Sequence, residues 1–154
     1  MKLLRLLLPA AALILPVSAQ VSGRMYAQKL VDETLAKHRE VVIIAMHVTP
    51  PGRSTNVIIA SNIGRIGKVA DDDDLRVINT GKPNLEVNVT GNNFEVELVL
   101  EDDTGKNIGA LGVVFDYKQG DDKIAMQKKA EQVRTELRRQ ILSKDKLFDT
   151  VPRP

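Results

Sequence analysis

Three strand-like runs that follow one another in the second half of the chain constrain its fold most. Apolar and polar residues alternate over residues 85–89 and again over 94–101, which is typical of strands with one buried and one wet face. The third run, residues 108–117, is apolar almost throughout, and Gly109 and Gly112 within it indicate a bulge or a close neighbour. Turn-forming sequences separate the runs: GNN at 91–93 and DDTGK at 102–106. This stretch therefore predicts three consecutive antiparallel strands.

The rest of the chain predicts three helices and two more strands. Apolar residues at three- and four-residue steps predict helices over residues 24–38 and 126–141. The apolar runs 41–48 and 55–60 predict two strands joined around TPPGRST. Four aspartates, Asp71–Asp74, precede LRVIN and predict a short helix with an aspartate N-cap. The order α-β-β-α-β-β-β-α predicts an α+β domain with a five-stranded antiparallel sheet and long helices at both ends.

The first residues have the features of a secretory signal peptide, which we assign to residues 1–19. Lys2 and Arg5 supply the positive start, an apolar run follows over residues 6–17, and VSA fits the small-residue cleavage rule. An uncleaved membrane anchor is the alternative, but the run is shorter than the roughly 20 residues of a span and Pro16 interrupts it. We therefore expect a periplasmic or secreted protein with no membrane span in its mature chain.

Composition excludes several classes of function. The chain has no cysteine, so disulfides, thiolate zinc sites, a cysteine nucleophile and covalent c-type haem are all excluded. Its 22 Lys and Arg against 20 Asp and Glu include Lys2 and Arg5, so the predicted mature chain is close to neutral. A nucleic-acid-binding protein requires a basic face, and with two Tyr, three Phe and no Trp the chain has few aromatic rings on which bases could stack.

The loop NIGRIGK, which directly follows an apolar strand, is the strongest candidate for a binding site. Arg65 and Lys68 supply two cations, and Ser61 and Asn62 supply short hydrogen-bonding side chains. Glycines at two positions of the loop would let main-chain N–H groups turn inward as well. This composition predicts a site for a small anion. The alternative is a solvated turn with ordinary surface cations, in which Ser61 and Asn62 bond the local backbone.

Other polar residues give no catalytic pattern. His47, near the end of an apolar strand, could reach a pocket, bind haem as an axial ligand or be a satisfied, half-buried histidine. The aspartates at 71–74 lack the ligand spacing of a calcium loop, which favours helix capping. No nucleophile elbow or phosphate-binding loop is present in the sequence. The sequence therefore predicts a binding protein without a bound metal or cofactor, and not an enzyme.

The element order and two local sequences resemble PAS-like periplasmic sensor domains, in particular single Cache domains. The two sequences are VIIASNIGRIGK at 57–68 and LVLEDDTGKNIGALGVVFDY at 98–117, and a long opening helix precedes both. The resemblance covers residues 20–143, refines the fold to the PAS/profilin-like type, and leaves residues 144–154 as a polar tail that we expect to fray. Sensors of this family usually continue into a membrane span, so this chain would need a separate membrane-bound partner to signal.

This resemblance implies a pocket between the sheet and a helix-loop layer, occupied by a small carboxylate. By position it assigns the ligand to Ser61, Asn62, Arg65 and Lys68, with Thr80 and Lys82 as further candidates from the next segment. It also makes a homodimer through the opening helix plausible.

Two alternatives for function remain open on the sequence. The strand IGALGV at 108–113 resembles one in small secreted haem-binding proteins, which would use His47 as the haem ligand. A protein-interaction module without a ligand, its pocket filled by its own side chains, is the other alternative.

Overall fold

The structure, a computed structural model, describes residues 23–153 of the chain. The predicted signal peptide, residues 1–19, lies outside these residues. Within them, no helix combines the length and the apolar character that a membrane crossing requires. The elements in chain order are β1 (Gly23–Met25), α1 (Tyr26–Lys37), β2 (Val41–Val48), β3 (Val57–Ser61), α2 (Asp72–Thr80), β4 (Asn84–Val87), β5 (Asn93–Glu101), β6 (Asn107–Asp116), α3 (Lys123–Arg138), a 3₁₀ helix (Asp145–Phe148) and β7 (Thr150–Pro152).

Five of the strands form one antiparallel sheet in the order β3-β2-β6-β5-β4, which confirms the predicted fold class. β6 is the central strand, between β2 and β5, and β2 and β6 are the continuous apolar runs of the sequence because each is covered on both faces. Gly109 of β6 lies where the backbone of β2 approaches closely. A Cβ atom there would lie 2.0 Å from the His47 carbonyl oxygen, so the close neighbour that this glycine predicted is the β2 backbone.

Helices α1 and α3 cover one face of the sheet and form the main core with it. Leu30 of α1, Ile44 of β2, Leu111 of β6 and Leu137 of α3 are fully buried there. Each such side chain contributes roughly 1.5–3 kcal/mol by leaving water. On the opposite face, α2 packs through Val77 against a smaller apolar cluster with Val99 and Ala110.

The C-terminal segment corrects one prediction, because residues 144–153 pack against the rest of the fold. Leu147 of the 3₁₀ helix is fully buried in the main core. β7 then pairs antiparallel with β1, with Arg24 opposite Val151. α1 consequently starts at Tyr26 and not at residue 24, because the two residues before it belong to β1. A polar composition predicted a loose end, but one buried leucine and a distant partner strand fix the segment.

Candidate functional site

A cavity of about 180 Å³ lies between α2 and the sheet face opposite the main core. Small residues at the centre of the sheet make room for it: Ala45 of β2 pairs with Gly112 of β6, and Gly112 pairs with Glu97 of β5. A Cβ atom on Gly112 would lie 2.9 Å from the Glu95 carboxyl, which therefore lies over the glycine. At about 30 Å³ for each water molecule, the cavity has the volume of roughly six waters.

Helix α2 covers this cavity, and its N-terminus fixes one carboxyl group inside. The Asp71 side chain accepts a hydrogen bond from the Asp74 N–H at 3.3 Å, and the Asp74 side chain accepts one from the Asp71 N–H at 2.8 Å. This reciprocal capping box is the Asp cap that the sequence predicted. Gly81 ends the helix in the left-handed conformation, with φ of 71°. The capping box also turns Asp74 toward the sheet.

Three ionisable side chains meet beneath α2. His47, Asp74 and Glu97 are each at most 6% exposed. The His47 Nδ1 atom lies 3.2 Å from an Asp74 carboxylate oxygen, at a charge-contact distance but outside hydrogen-bond geometry. Among the described residues, no N–H or hydroxyl group donates to the buried Glu97 Oε1 atom, and the Glu97 carboxyl shares a hydrogen bond with the Asp74 carboxyl. A buried polar atom without a partner is costly, so this cluster is poised to receive a hydrogen-bond donor.

Burial and neighbouring charges set the protonation of these acids. Burial, and then the hydrogen bond and negative charge of Asp74, raise the pKa of Glu97 to about 9. Burial also acts to raise the pKa of Asp74, but its contact with His47 and its hydrogen bonds from Glu97 and the Asp71 backbone outweigh burial, so this pKa is lowered. At neutral pH the pair therefore holds one proton, on Glu97.

Glu95 lies beside this pair on β5. Desolvation of its carboxyl group, together with the negative charges of Asp74 and Glu86, raises the pKa of Glu95. The side chain nevertheless keeps an exposed surface, so it forms a wall of the cavity and not part of the buried cluster.

Three of the seven predicted site residues line the cavity: His47, Arg65 and Lys68. Arg65 is the one non-glycine residue with positive φ, 61°, in the described part of the chain. The Lys68 ammonium group contacts an Asp71 carboxylate oxygen at 3.3 Å. Both cations are exposed and form the rim, whereas His47 belongs to the floor.

Ser61 and Asn62 are not among the residues that line the cavity. The Asn62 amide accepts from the Ile44 N–H at 3.0 Å and donates to the Val42 carbonyl at 2.9 Å, which ties the loop to β2. The Ser61 hydroxyl accepts from the Ile63 N–H at 3.2 Å. The Ser61 bond is the local backbone bond that the sequence left open as the alternative to ligand binding, whereas the Asn62 bonds reach another strand.

Thr80 and Lys82 lie at the exposed C-terminal end of α2, away from the cavity lining. The Thr80 hydroxyl donates to the Arg76 carbonyl at 2.7 Å and accepts from the Lys82 N–H at 3.2 Å. Both residues therefore close the helix end.

The loop backbone is also used within the fold. The Gly67 N–H donates to the Ile58 carbonyl at 2.8 Å, and the Lys68 N–H donates to the Arg65 carbonyl at 2.9 Å. The first of these donors, which the sequence predicted for an anion, pairs with the edge of β3, and the second closes a turn within the loop.

The cavity lining is mainly acidic, whereas the loop sequence predicted a site for an anion. Two permanently cationic side chains, Arg65 and Lys68, face six carboxyl groups: Asp71, Asp73, Asp74, Glu86, Glu95 and Glu97. Sequence reasoning missed the glutamates because alternation along β5 placed them on a wet face. α2 covers that face, and nothing in the local sequence of β5 shows the cover. The signal that was present is the pair of glycines in β6, one of which accommodates a glutamate.

The geometry gives no support to haem binding through His47. The imidazole contacts Asp74, and a cavity of about 180 Å³ is below the range of roughly 300–1,000 Å³ typical for drug-sized ligands. Nor do three acidic or histidine side chains converge as metal ligands would anywhere in residues 23–153.

No protein-family model matches the chain, and no curated protein sequence matches it significantly. Solved structures do match its fold. The repressor BlcR of Agobacterium tumefaciens aligns over 76% of this chain and 67% of its own, with 8% identity and a TM-score of 0.52. The inducer-binding domain of a PobR double mutant from Acinetobacter, in complex with 3-hydroxybenzoic acid, covers 75% and 97%, with 9% identity and a TM-score of 0.44. At such identity the likeness to BlcR shows a PAS-like fold, and membership of the single Cache family stays a prediction.

Proposed function

We propose that this protein is a binding module, and not an enzyme, that holds a small molecule in the cavity between α2 and the sheet. The observation that carries the proposal is the buried Glu97 Oε1 atom beside that cavity, which accepts no hydrogen bond from the described residues. The lining contains acids, amides, cations and aliphatic groups, and none of its described residues is a Ser, Thr or Cys nucleophile. Binding is therefore better supported than covalent catalysis.

In this proposal α2 reports whether the cavity is occupied. The helix attaches to the sheet by a small apolar cluster and by the contacts of Asp74, so a ligand at Asp74 would change its position or its mobility. Ile66, Val69 and Leu75 are 40–57% exposed beside it and offer a surface for a partner that reads this change. Export to the periplasm, a membrane-bound signalling partner and a homodimer through α1 stay predictions of the sequence.

A cavity-blocking variant tests the proposal. Small metabolites would be screened by ligand-observed NMR, and each hit would be titrated into ¹⁵N-labelled protein. We expect shifts concentrated on α2 and on the cavity residues of β2 and β5. Ala45→Leu places extra volume on the cavity floor and is expected to weaken binding at least tenfold. Ala125→Leu, on an exposed turn of α3, makes the same chemical change away from the cavity and is expected to bind normally.

Two results would contradict the proposal. One is a hit that binds Ala45→Leu as tightly as the parent, which would place its site elsewhere. The other is a screen covering cations, anions and neutral compounds that yields no binder, which would favour the ligand-free interaction module.

A further inference from the structure

We propose that the ligand of this cavity is an organic ammonium ion with a short apolar tail, its head held by the Asp74 and Glu97 pair beside Glu95. This inference rests on the proposed function and names its ligand class. It reverses the sign of the ligand that the loop sequence predicts.

The first argument is the placement of charge. The carboxyl groups come from three elements, α2, β4 and β5, and converge on one small space. Of the two cations, Lys68 is already in contact with Asp71, and both cations lie exposed at the rim, where water screens them. A ligand in the floor of the cavity therefore meets a negative field that the rim offsets only in part.

The second argument is the unpartnered acceptor at the floor. The Glu97 Oε1 atom is buried and accepts no hydrogen bond from the described residues, and Glu97 is 4% exposed. An ammonium group brings three N–H donors and a positive charge, and a carboxylate ligand brings neither. Such a head could donate to the Asp74 and Glu97 pair, which would give the buried Glu97 oxygen a donor.

The third argument concerns the rest of the ligand. A second cavity of about 330 Å³ adjoins the first and shares Ile43, Glu86, Glu95 and Val114 with it. Ile43 and Val114 are cross-strand partners, so they form a continuous apolar floor, and the fully exposed Val89 stands at the far side. An apolar tail would lie along this floor and leave water there. A bare metal ion would use neither the floor nor any converging set of three ligands.

Binding of a cation at this place would also move a proton. Glu97 holds one at neutral pH because its pKa is raised to about 9, and an adjacent ammonium group would favour the carboxylate. The other ionisable groups of the same lining are Asp71, Asp73 and Asp74 at α2, Glu95 of β5, His47 of β2 and Glu86 of β4, with Arg65 and Lys68 at the rim. The proton released by Glu97 passes to the buffer, so affinity should rise from pH 7 to pH 9.

The test compares three probes of one size: n-butylamine, butyrate and n-butanol. Each is titrated into the full chain by ¹⁵N NMR and by calorimetry in two buffers of different ionisation enthalpy. We expect butylamine to bind at least tenfold more tightly than either other probe, with shifts on β5 and α2. We also expect release of a substantial fraction of a proton per ligand at pH 7. Butyrate binding more tightly than butylamine in the same cavity would overturn the inference and leave the proposed function standing.

Matched variants locate the head of the ligand. Glu97→Gln keeps the neutral, hydrogen-bonding shape that Glu97 has in the free protein, so it should fold normally. It should weaken butylamine at least tenfold and abolish proton release. Glu33 is an exposed glutamate of α1, and Glu33→Gln is the control for the chemical change. It should leave both the affinity for butylamine and the proton release unchanged. Arg65→Ala should leave butylamine binding equal or tighter. A tenfold loss in Arg65→Ala, or unchanged binding in Glu97→Gln, would overturn the inference.

Discussion

The Asn62 side chain takes the place of a peptide unit at the edge of β2. β2 changes register against β6 between Val41 and Ile43, and its pairing with β3 begins only at Ala45. In the gap, the Asn62 amide accepts from one β2 residue and donates to another, as a neighbouring strand would do. An amide is the one side-chain group that carries both an acceptor and donors in this arrangement. Asn62 therefore positions the loop whose cations form the cavity rim.

We predict that Asn62→Ala lowers the free energy of unfolding by about 1–2 kcal/mol, because two backbone hydrogen bonds are lost where water can replace them only in part. Urea denaturation followed by circular dichroism measures this change. Lys82→Ala removes an exposed side chain from a nearby turn and is the control, with an expected change within about 0.5 kcal/mol. Equal stabilities for the two variants would show that the Asn62 bonds contribute nothing.

At the scale of elements, the C-terminal segment closes the main core. The 3₁₀ helix places Leu147 beside α1, and β7 adds a two-stranded sheet with β1. The Tyr26 N–H at the start of α1 donates to the Asp149 carbonyl at 2.8 Å, so the end of the chain also caps the first helix. Two segments separated by most of the sequence therefore stabilise each other.

We predict that Leu147→Ala destabilises the protein by about 2–5 kcal/mol, because it leaves a cavity in the core. Leu142→Ala makes the same chemical change at a position that is 63% exposed, and should cost less than about 1 kcal/mol. The difference between the two midpoints of thermal unfolding is the measurement. If Leu147→Ala unfolds at the same temperature as Leu142→Ala, the segment frays in solution as the sequence predicted.

At the scale of the whole molecule, two glutamates on opposite faces of the sheet respond to pH in opposite ways. On the α2 face, the pKa of Glu97 is raised to about 9, so the folded protein keeps a proton that the unfolded chain loses near pH 4.5. On the helical face, hydrogen bonds from Lys37 and His38 to Glu136, at 2.8 Å and 2.7 Å, hold the pKa of Glu136 down at about 2 against its partial burial. The folded protein therefore releases that proton more easily than the unfolded chain.

The sign of each effect follows from proton binding. Between pH 4.5 and 9 the folded state binds more protons at Glu97, so we predict that stability falls as pH rises through this range. Below about pH 4.5 the unfolded state binds more protons at Glu136 and Asp74, so stability also falls toward acid. Thermal unfolding should therefore show a maximum near pH 5.

Variants separate the two sides of this maximum. Glu97→Gln should flatten the decline in stability between pH 5 and 9, and it should leave the loss of stability below pH 5 unchanged. Glu136→Gln should reduce the loss of stability below pH 5, and it should leave the decline in stability above pH 5 unchanged. An unchanged alkaline slope in Glu97→Gln would show that Glu97 is ionised in the folded protein at neutral pH.

Sequence reasoning succeeded where the determining interactions are local. The strand patterns within residues 85–101, the apolar runs of β2 and β6 and the Asp cap of α2 each involve residues a few positions apart, although the buried face predicted for residues 85–89 is wrong because Leu85 and Val89 are exposed. It failed at Glu97 and at Leu147. A glutamate alternating with apolar residues has the same local pattern whether water or a helix faces it, and a lone leucine in a polar tail has no periodicity to show that it is buried.

The sequence by itself determined the type and order of the three α-helices and of the five strands of the main sheet, since the residue pattern of a strand or helix repeats over a few neighbouring positions. Only the tertiary structure decided which polar face of the sheet α2 covers, and so whether the cavity is acidic or basic. It also decided that the two ends of the domain pair. Charge and burial at a site depend on groups brought together from distant parts of the chain, and the electrostatic field there is the sum over all of them.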